Sequence, residues 1–316
     1  MISIFSLKNL KKFKKPVVAL GVFDGVHRGH REILKSVVKR ARVIGGTSVV
    51  LTFSPHPQKE ESLCSLEHRL RLISELGVDA AIVMNFNKKF ASILPESFIK
   101  NILVKLIGAD EIYIGRNFRF GKNASGDYRM LKESGKIYNY KLKAFSIIKI
   151  NNKPINSTSI RALIRKGDFT RAGKFLGRFV SVSGTVIKGR TLGKRLGFPT
   201  ANIDAHHEVI PPKGVYTVNV ILDAKKFMAL AMRKAKPLPC RLNGICYIGA
   251  RPTLNSGSEV HIEAHIFGFN KYIYGDSLEI RFIKKIREER KFPSLSALSE
   301  QIKKDIVIAK KIISRH

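Results

Sequence analysis

The sequence predicts two folded units: a doubly wound α/β domain with a parallel sheet, then a small antiparallel β-sheet or barrel followed by a helix. Three observations carry this. In the first half, short apolar runs alternate with amphipathic helical patterns. Between about residues 180 and 290 the apolar residues alternate with polar ones, in segments separated by Gly, Pro and Asn. Beyond these, Leu295, Leu298, Ile302, Ile306, Ala309 and Ile313 recur at helical spacing, which predicts one inward face.

Taken in order, VVALGVF (17–23) is apolar throughout and runs into Asp24-Gly25, as a buried strand does. A helix from His30 to Val43 places Ile33, Leu34, Val37, Val38 and Ala41 on one face, and Gly45-Gly46 stops it. SVVLTF (48–53) is the second strand, closed by Pro55 and Pro57. Leu66, Leu70, Ile73 and Leu76 mark a helix over 66–76 ending at Gly77, and AAIVM (80–84) is the third strand. Pro95 opens a helix through Leu106, and EIYIG (111–115) is the fourth strand. A helical stretch starting at Thr158 leads to a domain boundary at Leu176-Gly177-Arg178, giving domains 1–177 and 178–316. Beyond it, VSVSGTVI, GVYTVNVIL, FMALAM, EVHIEAHIF and SLEIRFI read as the strands of the small sheet or barrel.

The composition narrows the class. The chain has 316 residues, 44% of them hydrophobic, which suits two cored domains and argues against disorder. Lys and Arg number 58 against 24 Asp and Glu, a formal charge of +34 that raises a nucleic-acid-binding alternative. That alternative expects a basic stripe with interleaved aromatics, whereas here Trp is absent and the basic residues run along the whole chain. Cys64, Cys240 and Cys246 are too few for a disulfide framework, and no apolar run reaches membrane-span length. MISIFSLKNLKKFKK puts its lysines after a short apolar stretch, the reverse of a secretory signal. The expectation is a soluble cytoplasmic protein.

GVFDGVHRGH (21–30) joins the first strand to the first helix, where open α/β sheets bind ligands. Gly21, Gly25 and Gly29 allow close backbone approach to a phosphate, and His27 and His30 both face the helix entrance. A glycine turn with two surface histidines is the plainer alternative. GRNFRFGKNASGD (115–127) follows the fourth strand. NSTSIR (156–161) starts a helix with Ser157 and Thr158, which suit phosphate donation or ordinary capping, and sets Arg161 one turn in.

In the second half, GTVIKGRTLGKRLGFPTANI (184–203) is a glycine-rich loop carrying Lys188, Arg190, Lys194 and Arg195. Such a loop cradles phosphates or is simply a charged hairpin. Thr200 and Asn202 are hard oxygen donors two residues apart, suited to Mg²⁺ and on one side of an extended segment. In SEVHIEAHIF (258–267), alternation places His261, Glu263 and His265 on one strand face. This is not the HExxH zinc motif, whose Glu is adjacent to the first His and which is helical. Glu263 is a solvated sheet residue or, beside a phosphate loop, a general base.

In order and spacing, GVFDGVHRGH, FSPHP, LEHRLRLISELGVD, GRNFRFG and NSTSIR resemble the adenylyltransferase module of the bacterial bifunctional riboflavin kinase/FAD synthetases. GRTLGKRLGFPTANI, PPKGVY, YIGARPTL, the Glu263 strand, IYG and IREERKF resemble that family's riboflavin kinase module. The resemblance runs from Val17 to the last helix. It implies a Rossmann-like nucleotidyltransferase domain followed by a kinase barrel with a C-terminal helix. Riboflavin would be phosphorylated to FMN, and FMN adenylylated to FAD, with ATP and Mg²⁺. It also implies residue roles: Glu263 as base for the ribityl hydroxyl, and Thr200 and Asn202 holding Mg-ATP. His27, His30 and Arg161 would stabilise phosphate charge in adenylyl transfer.

The binding set it implies comprises Gly21, Phe23, Asp24, Gly25, Ser157 and Thr158 in the first module, with Asn117 on the flavin side. In the second it comprises Gly189, Gly193, Lys194, Gly197, Pro199, Thr200 and Asn202, with Arg287 as a flavin or phosphate contact or a surface ion pair. Two positions depart from the pattern: Asn156 where the family often has Ser, and Gly268 where it often has Asp. The expected partners are small-molecule substrates, with no specific nucleic acid, no membrane, and homo-oligomerisation left open. The basic segment 224–243 carries no family motif.

Overall fold

The structure is a computed structural model. It describes residues 1–315 apart from 6–9, 11, 58–60, 190–191, 207, 224–239 and 252–258. Two compact units emerge, Met1–Ser159 and Ile160–His316.

The first unit holds a six-stranded parallel sheet among the described residues. Its strands are β1 (Ile2–Ile4), β2 (Pro16–Leu20), β3 (Thr47–Ser54), β4 (Ala80–Asn85), β5 (Glu111–Gly115) and β6 (Lys141–Phe145), in the order β1-β4-β3-β2-β5-β6. Their continuous apolar runs follow from burial on both faces. Val18 and Leu20 of β2 join one cluster with Phe98, Ile99, Ile102 and Leu103, while Val17 and Ala19 join another with Ile33, Leu34, Val37, Val38 and Ala41. The latter five belong to α1 (Arg28–Val43), the predicted amphipathic helix. The strand order reverses at β2, between β3 and β5, so a crevice is expected at the carboxyl end of β2.

The remaining helices of this unit are α2 (Leu66–Ser74), α3 (Lys88–Ala91), α4 (Pro95–Ser97), a π-helix (Phe98–Leu106) and α5 (Tyr128–Tyr138). Two expectations change here. The strand predicted over 17–23 stops at Leu20, because Phe23 turns into the left-handed region (φ 53°) and folds its ring back over Gly21. A Cβ on Gly21 would meet that ring at 3.1 Å, so the glycine makes the fold-back fit. The helix expected over 95–106 is α-helical for one turn only. It widens into the π-helix and closes with Ile107 N–H donating to Ile102 C=O, keeping its apolar face on the sheet.

A two-residue hairpin, β7 (Lys149–Ile150) and β8 (Lys153–Pro154), precedes α6 (Ser157–Arg165) and α7 (Phe169–Leu176). The single helical stretch expected here is thus two helices, parted at Gly167 (φ 75°) and restarted by the Asp168 cap on Arg171 N–H. Most of this stretch belongs with the second unit, so the structural division falls before the 177/178 boundary. Phe169 of α7 packs on Tyr216 and Phe282.

The second unit closes an antiparallel barrel from β9 (Ser181–Ile187), β10 (Ala201–Asp204), β11 (Gly214–Asp223), β12 (Cys240–Arg251), β13 (Glu259–Ile266) and β14 (Ser277–Arg287). The order is β10-β13-β12-β11-β14-β9, with β9 also pairing β10. Closure removes sheet edges. A short helix, α8 (Leu192–Arg195), sits in the glycine-rich loop. The final helix, α9 (Leu295–Ile313), covers the barrel through Ile302, Ile306 and Ala309, beside Val215 and Ile245. Leu295, expected on that inward face, is 52% exposed. The FMALAM segment lies outside the described residues.

Candidate active sites

In the first unit the chain leaves β2 at the topological switch and enters α1 through Gly21–His27. His27 caps α1, its Nδ1 accepting from His30 N–H at 3.4 Å. The two imidazoles stack at 3.6 Å with 20° between their planes. The spacing that suggested a shared anion site therefore produces a stacked pair at a helix N-terminus, where backbone amides favour negative charge. Desolvation, followed by the neighbouring His27 and then Arg69, holds the His30 pKa well below 6.5; a hydrogen bond to the Asp24 backbone partly offsets this. His30 Nδ1 is buried without a hydrogen-bond partner among the described residues. The ring N–H is used on the Asp24 backbone, so Nδ1 of the neutral imidazole is an acceptor and can bond a phosphate oxygen only once it takes up a proton.

Asp24 is 2% exposed, and its Oδ1 accepts from Leu63 N–H (2.8 Å) and Cys64 N–H (3.4 Å). It fastens the loop to the segment before α2. Gly25 follows it with φ 73°. Ser157 Oγ donates to the Asp24 carbonyl at 3.2 Å, bringing the start of α6 to the same loop. The cap of α6 is Asn156, whose Oδ1 accepts from Ser159 N–H at 2.8 Å. This explains the Asn156 departure and leaves the Ser157 hydroxyl for the loop. Thr158 is exposed, and Arg161, one turn along, is 4% exposed. Asn117 is exposed beyond β5, its Oδ1 turned back towards Gly115, beside the stacked rings of Phe118 and Phe120.

Arg69 is a residue the sequence reasoning missed. It is 4% exposed, and it donates to Val22 C=O at 2.7 Å and Phe53 C=O at 2.9 Å, joining the loops after β2 and β3. The signal was present: Arg69 lies three residues after Leu66 and four before Ile73, on the apolar face of α2. A charge on such a face has a buried task.

In the barrel, Asn202 pairs in register with Glu263, and Glu263 with Tyr247. Thr200 Oγ1 donates to Glu263 Oε2 at 3.0 Å. His261 Nε2 is bonded to Glu263 Oε1, and His265 Nδ1 to the Pro199 carbonyl at 2.9 Å. The predicted face of β13 is thus assembled against the PTAN segment. Asn202 is 5% exposed, and its Oδ1 has no hydrogen-bond partner among the described residues. A buried amide oxygen without a donor, next to a threonine hydroxyl, fits a hard cation such as Mg²⁺. Gly189 crosses directly over Asn202: a Cβ there would lie 1.9 Å from its Nδ2. Gly193 and the backbone of Lys194 lie in α8, Gly197 follows with φ 85°, and Arg190 is outside the described residues. Gly268 takes φ 65° in the turn ending β13, with open space around it, so that departure alters a turn and leaves the Glu263 register intact.

Sequence models of two families match the chain: FAD synthetase over residues 10–159 and riboflavin kinase over residues 176–313. The bifunctional riboflavin kinase/FMN adenylyltransferase of Buchnera aphidicola subsp. Schizaphis graminum is 36% identical, over 98% of this chain and 97% of its own length. The chain belongs to this bifunctional family. Its relative from Escherichia coli K12 is 33% identical over 93% of this chain and 91% of its own, and that from Bacillus subtilis 32% over 92% and 90%. A crystal structure from Streptococcus pneumoniae named as a macrolide-efflux protein shares the fold at TM-score 0.79 and 27% identity, covering 98% of both chains. No helix among the described residues here is long and apolar enough to cross a membrane.

The IREERKF segment carries Arg287. Its Nε donates to Asp305 Oδ1 at 3.1 Å and Oδ2 at 3.0 Å, and its Nη2 lies 2.9 Å from Oδ2. Asp305 is 1% exposed on α9, so the pair ties the end of β14 to the terminal helix. Asp305→Ala leaves the guanidinium without its carboxylate in a largely buried place. It should destabilise the barrel unit by about 3 kcal/mol, read by urea unfolding, whereas an exposed pair would cost under about 1 kcal/mol.

Proposed function

We propose that the second unit phosphorylates riboflavin to FMN with ATP and that the first adenylylates FMN to FAD with a second ATP, releasing pyrophosphate. What carries this reading is that each half matched by one of the two families contains its own assembled site. One holds the stacked His27–His30 pair at a helix N-terminus; the other holds the Thr200–Glu263 bond beside Asn202. The functional modules are 1–177 and 178–316, both small-molecule enzymes of the cytoplasm.

In the kinase, Glu263 accepts the proton of the ribityl hydroxyl as its oxygen attacks the γ-phosphate. The amides of the 189–197 loop, with Lys194, hold the phosphates, and Arg287 is the flavin or phosphate contact, its direction fixed by Asp305. Asn202 Oδ1 and Thr200 Oγ1 would hold Mg²⁺, which when bound supplies neutralisation of phosphate charge. In the adenylyltransferase, the FMN phosphate is already ionised, so the protein stabilises charge and does not need a strong base. His27, His30, Arg161, Ser157, Thr158 and the amides entering α1 do this, and Asn117 contacts the flavin.

Chromatography of products from riboflavin, ATP and Mg²⁺ tests the reading. Both FMN and FAD should form, and neither in excess chelator. A single flavin nucleotide would remove one of the two activities, and turnover in chelator would remove the metal.

A further inference from the structure

We propose that His261 is a positioning residue that fixes the orientation of the Glu263 carboxylate in riboflavin phosphorylation. The proposal rests on the reading of Glu263 as the base. Alternation along β13 puts the two side chains on one face; across the ladder Gly249 lies opposite His261, and the Tyr247 hydroxyl that covers this glycine is bonded to Glu289. The imidazole Nε2 is bonded to Oε1 while Thr200 Oγ1 donates to Oε2. An ionised carboxylate only accepts hydrogen bonds, so the ring nitrogen facing Oε1 carries the hydrogen.

Holding both oxygens matters because the terminal torsion of Glu is soft and roughly two-fold. A carboxylate gripped at one oxygen swings about that torsion and carries its lone pairs out of line with the incoming hydroxyl. A second donor on the other oxygen stops the swing. The side chains of His261 and Glu263 are 23% and 27% exposed, so water competes only partly for the bond. During transfer the ribityl O–H proton passes to Glu263 and the new O–P bond forms. The bond from the γ-phosphorus to the bridging oxygen breaks, and its electron pair leaves on ADP. His261 takes no part in the proton transfer, so its effect appears in the geometry of the step and not in substrate affinity.

The experiment is steady-state FMN formation by full-length His261→Leu and His261→Gln proteins, with riboflavin and Mg-ATP varied. His261→Leu should lower kcat about tenfold with both KM values within about twofold, as expected for a group that acts only in the chemical step. His261→Gln, whose amide N–H reaches the same oxygen, should recover to within about threefold of the parent. Unchanged KM for ATP shows that the variant site has folded. Placing His261→Leu on a Glu263→Gln background should cause no further loss, since the residue acts through the carboxylate. Parental kcat in His261→Leu, or a Gln variant no better than Leu, overturns the proposal. Parental turnover in Glu263→Gln alone removes the base assignment itself. If Glu263→Gln is inactive and His261→Leu unaffected, the positioning role alone is lost.

Discussion

Glu263→Ala should lower FMN formation from riboflavin by about 10²- to 10⁴-fold while FAD formation from supplied FMN continues at the parental rate. The size follows from the chemistry. A primary alcohol is a poor nucleophile until its proton is removed, and Glu263 is the carboxylate that the barrel places against Thr200 and beside Asn202. The selectivity follows from the architecture. Glu263 belongs to the unit Ile160–His316, whereas His27 and His30 belong to Met1–Ser159. Glu263→Gln is the informative companion. It keeps the volume and an acceptor for Thr200 while removing basicity, so equal loss in Ala and Gln identifies proton removal. Equal loss of both activities in the Ala variant, with normal unfolding behaviour, would sink the two-module assignment.

Why Glu263 was legible while much around it was not has a physical reason. A strand face has a period of two, so SEVHIEAHIF alone groups His261, Glu263 and His265. The ladder that sets Asn202 against Glu263 joins residues far apart in sequence, and the alternation within each segment does not name the strand it will face. The same limit hid β12, the longest strand of the barrel. Gly244 and Gly249 interrupt its apolar alternation, yet both lie at close backbone or ring approaches, where a Cβ would meet His265 O at 2.4 Å or the Tyr247 hydroxyl at 2.0 Å. In the α/β unit the strands buried on both faces were plain as apolar runs, because nothing about them depends on a partner's identity. Among the described residues the short edge strand β1 pairs only with β4, and α5 is anchored by the Asp127 cap and the Gly135–Tyr140 approach. Neither has a long run to announce it. Arg69 and Asp305 share one lesson: each is a charge on the inward face of an amphipathic helix, where periodicity expects an apolar side chain.

His30→Ala should reverse the pattern of the Glu263 variant. FAD formation from FMN should fall by about 10²- to 10³-fold in kcat/KM, the loss seen when one preorganised group at a developing anion is removed, and FMN formation should persist. His30 is placed for this by its stack on His27, the cap of α1, and its ring bond to the Asp24 backbone, with Arg69 nearby. Those surroundings also fix the pH behaviour. Desolvation, His27 and Arg69 disfavour the imidazolium, so in the free enzyme the ring is neutral at pH 7 and takes a proton only well below 6.5. Because kcat/KM reports groups of the free enzyme, its profile for FAD formation should show no His30-dependent inflection near pH 6.5. Lowering the pH further charges the ring against a desolvated environment and beside cationic neighbours, and any break due to His30 belongs to that more acidic range. An inflection near 6.5 that disappears in His30→Gln would mean that the ring titrates as if solvated, and the stacked, buried geometry would not be that of the working enzyme. Unchanged FAD synthesis in His30→Ala would take His30 out of the reaction and leave phosphate binding at the α1 entrance to His27 and the backbone amides.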